Sequence, residues 1–355
     1  MAFPAKDRIF QVEVTTQCNL KCAACHRTQE IEAGRWNNRH IAADVFRALV
    51  ANARPSDAIM MEGIGEPTLH PDLPELISIA HDSGKFPTIM FYSNGLVRGM
   101  DYYTDLRRRG HNLLVVSVDS LNQGVADQCR FGTDVEKLKE RLPQFYRLYQ
   151  GKFKVSIVLS KKNLFDVFDT LKFLNGIGPM IVHIQGVIAT RADLIDGFLP
   201  DEETLIAFLR TLSLMKKLYP NLHIGLSGEL MTIAANYDAA QRAATPVAVS
   251  QDNALPAEIP PPLPAAQPAA SARPRCDKPY QDRYVTVDGY MTPCCVIVDS
   301  DEWGRTQLDQ PLEALLATNS VIVQWFKTYE SSGIRHCDTC SLNPSPRAAV
   351  SPERG

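Results

Sequence analysis

The 355-residue sequence predicts an α/β fold, a partial barrel of about six βα units followed by a small cysteine-bearing C-terminal domain. Three observations carry this reading. Short apolar runs alternate with helix-period segments from residue 9 to about 228. Polar and glycine-rich stretches follow the runs. An Ala/Pro-rich segment then separates this region from a last group of cysteines.

Strands are expected at 9–14, 58–61, 88–92, 113–118, 154–159 and 180–185, each β-branched or apolar and bounded by polar or Gly/Pro positions. Between them lie helical patterns. Residues 72–83 set Leu73, Leu76, Ile77 and Ala80 on one face, with Gly84 as a C-cap, and 101–109 end at Gly110 in the same way. Strands separated by helices predict a parallel sheet with right-handed crossovers. A closed eight-stranded barrel needs two more units, so the count favours an open, TIM-like (β/α)6 arrangement, with 222–226 as an extra edge strand.

The barrel is assigned to residues 1–239. Residues 240–275, with a polyproline run at 259–264, read as an exposed linker, the alternative being a loop that covers substrate. Residues 276–343 form the second domain. It opens on a hairpin, 284–287 and 290–292 around Asp288-Gly289, with helices at 312–317 and 321–329, and residues 344–355 are a tail.

Composition excludes several classes. Apolar residues make up 45% and charged residues 22%, and the net charge of −3 points to neither nucleic acid nor an anionic membrane as a partner. No apolar run is long enough to span a bilayer, and the N-terminus lacks an apolar signal core. Nine cysteines in such a chain read as metal ligands in a reducing cytoplasm rather than as disulfides.

Cys18, Cys22 and Cys25 form C-x3-C-x2-C directly after the first strand. Three thiolates at this spacing can hold three corners of a four-iron cluster and leave one iron open to a cosubstrate. The alternative is zinc, but structural zinc takes four ligands, and the nearest fourth donor, His26, adjoins Cys25. The motif and its position resemble the radical S-adenosylmethionine (radical SAM) superfamily. The resemblance implies reductive cleavage of S-adenosylmethionine to a 5′-deoxyadenosyl radical, which removes a substrate hydrogen. It also implies a flavodoxin- or ferredoxin-type electron donor.

In parallel α/β folds, sites gather at the C-terminal ends of the strands. The Cys triad, the stretch from Glu62 to Pro67, Ser93-Asn94-Gly95, Ser117-Val118-Asp119 and Gln185-Gly186 all fall there. Gly63-Ile64-Gly65-Glu66 resembles the superfamily's Gly-Gly-Glu motif, interrupted by Ile64. Glu66 is then expected to accept from the cosubstrate ammonium, and Gly63 and Gly65 to allow close backbone approach. Ser117 and Asp119 are candidates for the ribose hydroxyls and Asn94 is a further polar candidate. Arg130 is a candidate for the carboxylate, its alternative being a surface ion pair.

Cys276, Gly289 and Cys294, followed by Cys337-x2-Cys340, resemble the auxiliary-cluster domain called SPASM in its shorter, twitch form. Four sulfurs suffice for a second, fully ligated [4Fe-4S] cluster, and a four-cysteine zinc ribbon is the rival. Cys295 is either a small hydrophobe or a spare ligand. A fully ligated cluster suits electron transfer, so the net reaction becomes a two-electron oxidation. Cys129 stands alone, as a hydrogen-atom donor or as a packing residue. His26, His40, His70, His183 and His223 show no ligand spacing, although His183 can face the pocket from its strand.

The reading is therefore a cytoplasmic radical SAM enzyme with two [4Fe-4S] clusters, oxidising a small molecule such as a sugar or aminocyclitol alcohol. Only about 8 residues precede the first strand, which favours a small molecule over a peptide. Modification of a ribosomal peptide or protein is the second reading, and a zinc-stabilised binding protein without catalysis is the third.

Overall fold

The computed structural model describes residues 6–187, 200–227, 282–292 and 306–317, with a few positions between 197 and 233. The 240–275 segment, helix 321–329, the tail, and Cys276, Cys294, Cys295, Cys337 and Cys340 lie outside the described residues.

The elements run β1 (Asp7–Val12), β2 (Lys21–Cys22), α1 (His26–Glu32), α2 (Ala43–Asn52), β3 (Ser56–Met60), α3 (Leu73–Asp82), β4 (Thr88–Ser93), α4 (Met100–Arg108) and β5 (Leu113–Ser117). They continue with α5 (Gln123–Cys129), β6 (Arg130–Phe131), α6 (Val135–Tyr149), β7 (Phe153–Leu159), α7 (Val167–Ile177), β8 (Met180–Gly186), α8 (Glu202–Met215) and β9 (Leu222–Leu226). The C-terminal elements are β10 (Asp282–Val285), β11 (Tyr290–Thr292), β12 (Thr306–Gln307) and α9 (Leu312–Ala317).

One sheet carries the order β12-β11-β10-β1-β3-β4-β5-β7-β8-β9. From β10 to β9 every neighbouring pair is parallel, and among the described residues the sheet does not close. Six βα units in sequence order are an open TIM-like barrel, and β9 adds to its edge as expected. Side chains alternate along each strand. Phe10, Ile59, Phe91, Leu114, Val155 and Val182 are buried in one large core cluster, whereas Ala58, Met60, Met90 and Val115 form a separate smaller one. The first set lies under the helices, and the second, opposite in register, lies on the concave face.

Local chemistry sets the helix ends. Asp134 caps α6 by accepting from the Lys137 N–H at 3.0 Å, and Val135, Leu138, Leu142, Phe145 and Tyr149 form its buried stripe. Asn122 caps α5 through the Gly124 and Val125 N–H groups. Among the described residues no helix is long and apolar enough to cross a membrane.

The C-terminal hairpin forms with its first strand two residues earlier than expected and Gly289 at φ +82° in its turn, and β10 continues the barrel sheet in parallel with β1. Arg8 grips Asp282 at 3.0 and 2.9 Å, and the buried Asp7 meets the buried Arg283 at 3.1 Å. Asp7 pairs in register with Ser56 and therefore starts β1 two residues before the apolar run. A second, unexpected sheet joins β2 to β6, with Cys22 opposite Arg130.

Candidate active site

The loop after β1 carries the cysteine triad. Arg27, 6% exposed, braces it from α1 by donating from Nε to the Thr16 carbonyl (3.1 Å) and from Nη1 to the Leu20 carbonyl (3.2 Å). The Leu20 N–H points at the Cys18 Sγ (3.5 Å), and the Cys25 N–H donates to the Cys22 carbonyl (3.1 Å). Cys18, Cys22 and Cys25 are free, partly exposed, and all on the wall of one cavity of about 500 Å³. Burial pushes the Cys22 thiol up to about 12 and raises Cys18, while Arg130 opposes the first shift and Arg27 the second. Among the described residues no three His, Cys, Asp or Glu side chains converge on a single ion. A four-iron cluster asks for something different, since each cysteine binds a different iron.

The loop after β3 is zipped onto the cysteine loop. The Glu66 N–H donates to the Gln17 carbonyl at 2.7 Å. A Cβ on Gly65 would stand 2.3 Å from the Thr15 carbonyl oxygen, and one on Gly63 2.4 Å from Glu13 Cγ. Both glycines are thus close-approach positions, toward the protein's own cysteine loop. Glu66 is 3% exposed and lines the cavity. Its Oε1 accepts from the Thr68 N–H (3.2 Å), Thr68 Oγ1 (2.6 Å) and Ser93 Oγ (2.8 Å), and its Oε2 from the Asn94 N–H (2.8 Å). Burial raises its carboxyl above the usual range against these donors.

Asn94, at the end of β4, lines the cavity and donates from Nδ2 to Asn19 Oδ1 at 2.8 Å, tying β4 to the cysteine loop. Ser117, Arg130 and Gln185 also line the cavity. Asp119 is not on that wall. Its Oδ2 accepts from Arg130 Nε (2.7 Å) and its Oδ1 from the Val158 N–H (2.8 Å), so its carboxylate joins an ion pair and a strand. Arg130 is thus in a largely buried ion pair with Asp119 and also lines the cavity. Cys129 is also placed off the cavity. It is 8% exposed, and its thiol is pushed up to about 11 by burial. His183 is half-buried on β8 and does not line the cavity.

The model of the Radical SAM superfamily matches residues 12–174. Residues 12–174 are a radical SAM domain. A probable GTP 3′,8-cyclase of Methanococcus vannielii is 28% identical over 52% of this chain and 60% of its own length. An AdoMet-dependent heme synthase of Methanosarcina barkeri is 24% identical over 54% of each. The chain thus spans about three fifths or less of these curated relatives. Among solved structures, Streptococcus suis SuiB bound to S-adenosylmethionine superposes with a TM-score of 0.63 at 12% identity, covering 91% of this chain and 68% of that one. Native anSMEcpe with bound AdoMet gives 0.62 at 14% identity, covering 93% and 90%. At these identities the two structures share the fold.

The site's residues fit the cofactors of a radical SAM domain. Cys18, Cys22 and Cys25 supply three soft ligands on one wall, beside the cations Arg27 and Arg130, which suit an anionic cluster. The strand ends and the glycine loop leave room for S-adenosylmethionine next to them. Sequence reasoning missed Arg27 and Glu13. Glu13 is 4% exposed, and it was legible as a charge inside the apolar run Val12-Glu13-Val14. Arg27 adjoins the motif but carries no local signal of its burial.

Proposed function

We propose that this chain is a radical SAM enzyme that cleaves S-adenosylmethionine at the cavity bearing Cys18, Cys22 and Cys25. The observation that carries this is the placement of all three thiols on the wall of a cavity of about 500 Å³, beside the glycine loop that ends in Glu66. When bound, the cluster and S-adenosylmethionine supply a one-electron reductive cleavage whose product, a 5′-deoxyadenosyl radical, removes hydrogen from an unactivated carbon.

The chain's own residues bind and orient. Cys18, Cys22 and Cys25 hold the cluster, and Arg27 fixes their loop. Glu66, fastened to β4 and to Thr68, presents a positioned carboxylate edge to the ammonium group. Ser117 and Asn94 offer polar contacts at adjacent strand ends. Arg130 places a cation beside Cys22. β10 supplies Tyr284 to the cavity wall.

For the substrate we favour a small molecule, a sugar or aminocyclitol-like alcohol that is oxidised by two electrons. The named relatives in Methanococcus and Methanosarcina are described as acting on GTP or making heme, which supports a small-molecule substrate. Cys276, Cys294, Cys337 and Cys340 would hold an auxiliary [4Fe-4S] cluster, which would supply an electron acceptor for that oxidation. A peptide substrate is the second reading, because the fold neighbours include SuiB bound to precursor peptide SuiA and anSMEcpe with the Kp18Cys peptide. A flavodoxin- or ferredoxin-type protein delivers the first electron.

Iron per chain after anaerobic reconstitution tests the two-cluster reading, with about eight irons expected. About four, unchanged by alanine at Cys276, Cys294, Cys337 and Cys340, overturns the auxiliary cluster. Incubation with candidate alcohols and with peptides then separates the two substrate classes.

A further inference from the structure

Glu13 sits where three separate parts of the chain meet. It follows β1 directly, and its N–H donates to the Val285 carbonyl of β10 at 2.8 Å. Its carboxylate turns inward and is 4% exposed. Oε1 accepts from the Ile64 N–H at 2.9 Å, inside the glycine loop. Oε2 accepts from the Val287 N–H at 3.3 Å, in the turn of the C-terminal hairpin. Gly63 leaves no space there, since a Cβ would lie 2.5 Å from Oε1.

The choice of a buried carboxylate has a physical reason. Two backbone donors, from segments more than two hundred residues apart, converge on one side chain. Glutamine offers one acceptor oxygen and turns an NH2 toward the other donor, so it satisfies only one of the two. A carboxylate satisfies both, at the cost of burying its charge. The ion pair of Arg39 with Asp288 secures the same hairpin turn from the segment between α1 and α2.

We infer that Glu13 is a positioning residue through which the C-terminal hairpin sets the glycine loop for S-adenosylmethionine. The loop at Gly63–Glu66 adopts its binding shape only while the hairpin turn is docked, so the cosubstrate site and the C-terminal segment are coupled through one carboxylate. This rests on the proposed use of the cavity for S-adenosylmethionine.

Val287 is the second residue of a turn closed by the Gly289 N–H to the Thr286 carbonyl at 2.9 Å, a position that accepts proline. Val287→Pro therefore removes the donor while keeping an apolar side chain in the turn. The test uses the full chain, anaerobically reconstituted, and reads S-adenosylmethionine affinity by equilibrium dialysis and amide exchange at Ile64. Val287→Pro is expected to weaken affinity about tenfold, the size of one charge-assisted hydrogen bond, at unchanged iron content. It is also expected to speed exchange at Ile64. Glu13→Gln should do the same, and the double variant should be no worse than Glu13→Gln alone. Unchanged exchange at Ile64, or effects that multiply in the double variant, overturns the coupling. If Val287→Pro does not fold, Glu13→Gln decides by itself, because faster exchange at Ile64 or Val287 supports the bridge and unchanged exchange at both overturns it. If the wild-type chain binds no S-adenosylmethionine, the proposed function fails, while the exchange measurement still decides the coupling.

Discussion

Arg130 faces Cys22 across the two-residue β2–β6 ladder and at the same time closes on Asp119, with Nε 2.7 Å from Oδ2. One residue thus links the cysteine loop, through its backbone, to the end of β5, through its side chain. Removing either partner has a different consequence. Asp119→Ala leaves a largely buried guanidinium without its carboxylate and is expected to cost about 3 kcal/mol in urea unfolding. Arg130→Ala removes the cation beside the thiolates and is expected to lower iron retained at the first site. Arg130→Lys should recover little, because a single ammonium cannot copy the guanidinium's planar set of donors.

Gly65 gives a contrast between two glycines. An added Cβ would meet backbone oxygens of Thr15 and Gln17 at 2.3 and 2.7 Å, and backbone cannot move aside. Gly65→Ala is expected to cost about 3 kcal/mol or to lose S-adenosylmethionine binding. Gly176, in α7, meets nothing within 4 Å. Gly176→Ala is expected to stabilise by about 0.5 kcal/mol. Thermal melts of both variants check the pair.

His111 predicts an acid sensitivity. It is fully buried, stacks on Phe91 at 4.2 Å between centroids, and places Nδ1 2.8 Å from the Tyr149 hydroxyl. Burial first, and then Arg107, lowers it from 6.5 to about 3. The folded state therefore keeps His111 neutral where the unfolded chain protonates it. Its stabilising contribution is complete above the unfolded value of 6.5 and is lost as pH falls from there toward about 3. Between pH 7.5 and 5.5 the loss is about 1 kcal/mol for this residue. His111→Phe should flatten that part of the profile in urea titrations at the two pH values.

Asp7 supports a prediction about the C-terminal strand. It is fully buried, 3.1 Å from Arg283 and 3.9 Å from Arg54. Asp7→Ala leaves two buried guanidinium groups without this carboxylate and is expected to cost about 3 kcal/mol. Arg8→Ala, at the half-exposed end of the same strand pair, should cost under about 1 kcal/mol. Limited proteolysis after β9 should release the C-terminal segment in the first variant and spare the second.

Much of this was readable from residues alone. The barrel strands announced themselves through β-branched apolar runs, and two helix ends through Gly84 and Gly110. The cysteine spacing placed the candidate site on the right end of the sheet. What stayed hidden is long-range. Nothing local says that Arg130 pairs with Cys22, that Asp119 turns to Arg130, or that Cys129 is buried off the cavity wall. Glu66 was legible as a site residue, but its four protein donors come from Thr68, Ser93 and Asn94, which meet it only after folding. The start of β1 at Asp7 was concealed because its partner Arg283 is remote in sequence.

The most direct test is the release of 5′-deoxyadenosine from S-adenosylmethionine by the anaerobically reconstituted, reduced chain. The wild type is expected to form it together with methionine, and Cys18→Ala, Cys22→Ala and Cys25→Ala are each expected to abolish it. Cleavage that persists in those variants, or a fully loaded wild type that forms none, would contradict the assignment of this cavity.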